Sequence, residues 1–234
     1  MIDIHAHIIP GLDDGSEDMG TSIIMAQMAE ESGVSAMIAT PHCNQVGRFE
    51  NYMSDRLRRH IDEFRNELAR EDIDLNIGIG MEIYCTREVP RLLKAKKLIT
   101  LNDSRYVLVE FGFATDTARM EEMLYPIMDL GFVPVIAHPE RYTDIQDQPE
   151  IIDEGMDNGI GIQINKGSVF GRFGRRAYDV SHFLLENGLV SCVASDAHGT
   201  ESRTTDMTEI YNFLAAEYSE DAADILLTEN PRRI

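Results

Sequence analysis

Seven short apolar runs recur along the chain, each separated from the next by a longer stretch of helical periodicity. Few folds accept that alternation. The runs are Ile2 to Ile4, Ala36 to Ala39, Asn76 to Gly80, Tyr106 to Val109, Val133 to Ala137, Gly161 to Ile164 and Val190 to Ala194. Most are rich in Ile or Val, and all are too short for independent helices. Amphipathic stretches lie between them: Met19 to Ser32, Ser54 to Arg70, Thr86 to Lys96, Thr117 to Leu130, Gln148 to Asn158 and Arg175 to Asn187. A last helix is expected near Thr204 to Tyr218, followed by a short polar-ended tail. Gly33, Gly131, Gly159 and Gly188 stand where helices should stop. Strands alternating with helices predict a parallel sheet with helices outside, either open and doubly wound or closed into a barrel. After the first run comes His5-Ala6-His7, not a glycine-rich turn that could cradle a pyrophosphate. A closed barrel makes its own demand: its site is assembled from the C-terminal ends of several strands.

The residues after each run meet that demand. The first is followed by His5 and His7, the second by His42, the third by Glu82 and the fourth by Glu110. The fifth ends in His138, the sixth in Asn165, and the seventh in Ser195-Asp196-Ala197-His198. Residues two apart in an extended chain point the same way, so His5 with His7, and Asp196 with His198, can each share a cation. A lone His-x-His is weak evidence. Acids and imidazoles gathered at one buried end of a sheet are costly unless they bind something, and here every strand delivers one. Imidazole with carboxylate suits Mn, Fe or Zn, and the lack of thiolates argues against a structural zinc site. Five of the seven histidines sit at strand ends, whereas His60 and His182 fall inside helical patterns and are read as ordinary residues.

Composition sets the outer bounds. At 234 residues and 43% hydrophobic, the chain suits one domain spanning residues 1–234, with no repeat or linker to divide it. A formal charge of -20 repels nucleic acid and anionic membrane surfaces, while bound divalent cations would still make a local site attractive to phosphate. No run approaches the roughly 18 apolar residues of a spanning helix, and the immediate strand at Met1 leaves no room for a signal peptide. Three cysteines at unrelated spacings suit a reducing compartment. A soluble cytoplasmic enzyme is the expectation.

One motif is a decoy. His42-Cys43 followed by Arg48 looks like the loop of cysteine-dependent tyrosine phosphatases, but only four residues intervene where five are needed, and Phe49 occupies the arginine position. A cysteine mechanism would also leave the other strand-end ligands unexplained.

The stretches MIDIHAHIIPGLDDG, ATPH, GMEIY, YVLVEF, AHPERY, GSVFGRFG and ASDAH with Ser202-Arg203 resemble the PHP (polymerase and histidinol phosphatase) superfamily along essentially the whole chain. They are most similar to its branch of bacterial metal-dependent tyrosine-protein phosphatases of capsule and exopolysaccharide operons, the CpsB/YwqE type. The resemblance implies a distorted seven-stranded β/α (TIM-like) barrel carrying three divalent metal ions, commonly Mn²⁺. It implies His5, His7, Glu82 and Asp196 on the first ion. Glu82, Glu110 and His138 would hold the second, and Asp14, His42 and His198 the third. The strand-end argument alone does not choose Asp14 over Asp13. Arg141 and Arg203 are expected to hold phosphoryl oxygens bidentately, with His42 or His198 assisting the departing oxygen. The implied substrate is a phosphotyrosine protein, the tail of a membrane-bound bacterial tyrosine kinase. Two other readings remain open at this point: a small-molecule phosphatase acting on a substrate such as histidinol phosphate, and a catalytically silent module that binds phosphotyrosine.

Overall fold

The computed structural model describes residues 1–153 and 159–234. The strands, in chain order, are β1 (Ile2–Ala6), β2 (Ala36–Ala39), β3 (His42–Cys43), β4 (Asn76–Ile79), β5 (Glu82–Tyr84), β6 (Tyr106–Glu110), β7 (Val133–Ala137), β8 (Gly161–Asn165) and β9 (Cys192–Ala194). They form two parallel sheets, one ordered β1-β2-β4 and the other β3-β5-β6-β7-β8-β9. All seven expected runs carry strand, and the parallel α/β class stands. The expectation of one closed seven-stranded barrel is corrected: among the described residues there are nine strands in two sheets, with no continuous closed ladder.

Local chemistry explains the breaks. Between β2 and β3 lies Pro41, which has no N–H to give to a ladder. Between β4 and β5 lies Gly80, where a Cβ would come within 2.8 Å of the Leu101 side chain, so the chain bends through a gap only glycine fits. On the other side, β1 meets the segment just after β9 through an isolated Ala6–Ala197 bridge, supported by His7 N–H to Ala197 O at 2.9 Å and Asp196 N–H to His5 O at 2.9 Å.

Strand parity divides the core. Ile4, Ile38, Leu108, Val135, Ala137, Cys192 and Ala194 form a small cluster that joins the two sheets. Val107, Val109, Ile136, Ile162, Ile164 and Val193, of the opposite parity, pack in the larger cluster with the helices. Those helices are α1 (Met19–Glu31), α2 (Asp55–Arg70), α3 (Val89–Lys94), α4 (Thr117–Met128), α5 (Thr143–Asp147), α6 (Lys166–Val169), α7 (Arg175–Glu186) and α8 (Thr208–Glu217). Asp18, Ser54 and Asp116 cap α1, α2 and α4 by accepting from the backbone N–H groups of Thr21, Leu57 and Arg119. Helix α2 buries Leu57, Ile61, Phe64 and Leu68, a single stripe at helical spacing. The helix expected over Gln148 to Asn158 falls partly outside the described residues. The expected tail is instead helical turns between Glu220 and Arg232.

Candidate metal centre

His5 and His7 sit at the end of β1, buried completely, and their ring nitrogens are used in a telling way. His5 Nδ1 lies 2.8 Å from Gln163 Oε1, and His7 Nδ1 lies 2.7 Å from Asp13 Oδ2. Both partners are acceptors, so both Nδ1 atoms carry a proton, and in the neutral imidazoles both Nε2 atoms present lone pairs. Those two Nε2 atoms face each other at 3.3 Å. Two lone pairs at that distance repel unless a cation or a proton stands between them. Two nitrogens each about 2.1 Å from one tetrahedral ion would be about 3.4 Å apart.

Carboxylates complete the same point. Glu82 Oε2 lies 3.3 Å from His5 Nε2 and 3.2 Å from His7 Nε2, and Asp196 Oδ1 lies 3.4 and 3.5 Å from the same atoms. Neither carboxylate oxygen makes a hydrogen bond, although both are fully buried. Buried oxygens left this way suit a bound cation better than a finished polar network.

Two more groups of donors adjoin this one. Asp14 Oδ1 stands 3.4 Å from His42 Nε2 and 3.6 Å from His198 Nε2, and His7 belongs to the same group. His42 Nδ1 lies 2.9 Å from Glu82 Oε2 and 3.0 Å from Glu110 Oε1. His138 Nε2 touches Glu82 at the other oxygen, Oε1, at 2.8 Å. All nine expected ligands therefore meet in one continuous cluster, and three groups within it could each hold a metal ion. The grouping differs from the expected one: His7 also joins Asp14, His42 and His198, Glu82 and Glu110 gather around His42, and His138 approaches Glu82.

The charges balance through proximity. Burial acts to lower the pKa of His5, His7 and His42, yet the facing carboxylates outweigh it and raise all three. Burial likewise acts to raise Glu82 and Asp196, and the neighbouring histidines hold both well below the usual carboxylate range. His198 is lowered, by burial and by the neighbouring His7.

Both predicted arginines reach the cluster. Arg203 Nη2 pairs with Asp196 Oδ2 at 2.5 Å, and Arg141 Nη1 approaches the same oxygen at 3.6 Å. His138, Asp196 and Arg203 all have left-handed backbone, with φ of 39°, 48° and 51°. Such strain in non-glycine residues gathers where side chains must be aimed at a site.

Asp13 and Asp14 part company here. Asp14 faces the donors and is 42% exposed, and its pKa is lowered by hydrogen bonding to His198 and His42. The Asp13 side chain is buried and never enters the cluster: its Oδ2 accepts from His7 Nδ1 and, at 2.8 Å, from the His42 backbone N–H. It holds two of the donor-bearing residues in place without joining them. Sequence reading missed Gln163 and Glu140. Gln163 holds His5, and its Nε2 donates to Asn165 Oδ1 at 2.9 Å, while Asn165 Nδ2 donates to Asp196 Oδ2 at 2.5 Å. Glu140 Oε1 accepts from the Asn165 N–H and the Ser168 hydroxyl, and burial raises its pKa. The available signal was parity: Gln163 and Asn165 are polar residues alternating with Ile162 and Ile164 in a buried strand.

The decoy resolves on geometry. Cys43 is fully buried, and burial pushes its thiol up to about 12. Arg48 turns away to pair with Asp14 at 3.0 Å and to lie over the Phe49 ring. His60 and His182 bond to the carbonyls of Pro10 and Val169, outside the cluster, as expected.

Comparison with known proteins identifies the family of the chain. The family described as capsular polysaccharide synthesis, CpsB/CapC, matches residues 1–234. Tyrosine-protein phosphatase YwqE of Bacillus subtilis is 38% identical over 230 residues, covering 98% of this chain and 89% of that protein. Tyrosine-protein phosphatase CpsB of Streptococcus pneumoniae is 35% identical over 240 residues, covering 100% and 98%. The crystal structures described as YwqE and CpsB, unique metal-dependent tyrosine phosphatases, include one that superposes with a TM-score of 0.91 at 37% identity, over 99% of this chain and 93% of that one. The chain belongs to the CpsB/CapC family.

Proposed function

We propose that this chain, acting as one catalytic unit over residues 1–234, is a metal-dependent phosphatase that hydrolyses phosphotyrosine on proteins. The observation that carries this reading is the pair of Nε2 atoms of His5 and His7, 3.3 Å apart and ringed by buried oxygens of Glu82 and Asp196 that lack a hydrogen-bond partner. The likeness to YwqE and CpsB supplies the substrate class.

His5, His7, Glu82 and Asp196 would hold one ion. Glu82, Glu110 and His138 would hold a second, and Asp14, His42 and His198 a third. With His42 Nδ1 3.0 Å from Glu110, that ring is also within reach of the second set. The donor set suits Mn²⁺, and Fe or Zn by the same chemistry. When bound, such ions supply Lewis-acid stabilisation of phosphoryl charge and lower the pKa of water towards neutrality. The chain's own residues do the rest. Arg141 and Arg203 bind phosphoryl oxygens in their planar forks, placed beside the donors by the shared Asp196 contact. Asp13 and Gln163 fix the tautomers of His7 and His5, keeping Nε2 free. A tyrosyl phenolate, with a pKa near 10, leaves readily, so a dedicated general acid is less necessary. No cysteine takes part.

The proposed partner is the tyrosine-rich tail of a membrane-bound bacterial kinase that controls capsule or exopolysaccharide synthesis, met in the cytoplasm. No described helix is long and apolar enough to cross a membrane. The test is phosphate release from a phosphotyrosine peptide by protein stripped with chelator and then given Mn²⁺, with histidinol phosphate alongside. Metal-dependent release from the peptide that survives Cys43→Ser is the expected result. Preference for histidinol phosphate, or metal binding without release from either, would overturn the substrate assignment.

A further inference from the structure

The Arg141 guanidinium lies between two aromatic rings, 4.6 Å from the centroid of Phe113 and 4.4 Å from that of Phe173. Arg203 stands over the same Phe173 ring at 5.7 Å. Both guanidinia reach Asp196, so the two rings border the donor cluster on the arginine side. Phe113 is 47% exposed, although it lies beside the buried His138 ring with centroids 6.3 Å apart. Its backbone is held in place, since Phe113 O accepts from the Thr143 N–H at 2.8 Å.

We propose that Phe113 is a specificity-determining residue whose exposed ring takes the aryl group of the substrate, with Phe173 as the wall that steadies both arginines. This role rests on the phosphotyrosine reading above. A phosphoryl group held by Arg141 and Arg203 projects its ester substituent outward, past the rings that flank the guanidinia. An aryl substituent gains ring contact there, and a short alkyl substituent does not. Contact with both rings restrains the Arg141 guanidinium, which lowers the entropy lost on binding phosphate.

The test is calorimetric binding of phenylphosphonate and methylphosphonate, which cannot be hydrolysed, to the Mn²⁺-loaded protein. Phe113→Ala should weaken phenylphosphonate about fivefold, in keeping with the worth of one aromatic contact, and leave methylphosphonate within about twofold. Phe113→Leu, which keeps the bulk and removes the π face, should fall between. Equal weakening of both ligands would reduce Phe113 to a prop for Arg141 and overturn the proposal, as would no change in either. Turnover of a phosphotyrosine peptide by the parent protein is read separately. Its absence would overturn the phosphatase reading itself, whatever the phosphonates do.

Discussion

At the scale of single residues, the site works by assigning protons. Asp13 carries no ligand role yet decides which His7 nitrogen is free, through a 2.7 Å bond to Nδ1, and it anchors the His42 backbone besides. Asp13→Ala should therefore lower metal affinity about 10- to 100-fold while the protein stays folded. Titration of Mn²⁺ into chelator-stripped variant and parent measures this, and unchanged affinity would demote Asp13 to a turn residue. Arg203 separates binding metal from binding phosphate. It touches Asp196 at the oxygen opposite the one facing His5 and His7. Arg203→Ala should cut kcat by about 100-fold or more with metal content intact. Metal analysis beside steady-state kinetics distinguishes the two, and full activity in the variant would remove Arg203 from the mechanism.

At the scale of elements, position in the chain is set by backbone fit as much as by side-chain chemistry. The loop after β1 folds back so closely that a Cβ on Gly15 would come within 2.2 Å of His7 O and 2.3 Å of His7 Cβ. Gly15→Ala must push His7 aside. It should cost about 1–3 kcal/mol and lower Tm by about 2–12 °C, with loss of bound metal. Gly20→Ala, near the start of α1, meets only the Asp18 side chain at 3.4 Å and should leave Tm equal or higher. Similar melting of the two variants would refute the packing account. The strands and most helices were legible in the sequence because each carries its own period and stop signal. The strand-end ligands were legible for the same reason. The division into two sheets was not, because Pro41 and Gly80 interrupt ladders whose partners lie far along the chain. Asp13, Gln163 and Glu140 were equally hidden. The parity of β8 marks Gln163 as a buried polar position, but its partner His5 lies 158 residues away and leaves no local pattern.

At the scale of the whole molecule, the metal-free chain and the metal-loaded chain should respond to pH in opposite senses. Without metal, histidine–carboxylate pairs hold the cluster together. His5, His7 and His42 have folded pKa values raised above 6.5, so their contribution is full below that value and fades as pH rises through the folded pKa. Glu82 and Asp196 are depressed below 4.5 and 3.8, so theirs is full above those values and fades in acid. The metal-free protein should then be most stable between about pH 4.5 and 6.5. Metal ions need the same nitrogens without protons, so their binding releases protons and strengthens as pH rises. Binding to the folded state alone raises stability with ligand concentration. The Tm gained on adding a fixed concentration of Mn²⁺ should therefore grow from pH 6 to pH 8, while the metal-free Tm falls over the same range. Thermal scans of stripped and Mn²⁺-loaded protein at matched ionic strength measure both slopes. A Tm increment that stays constant across that interval would mean protons and metal do not compete for the cluster, and the histidines would then be structural.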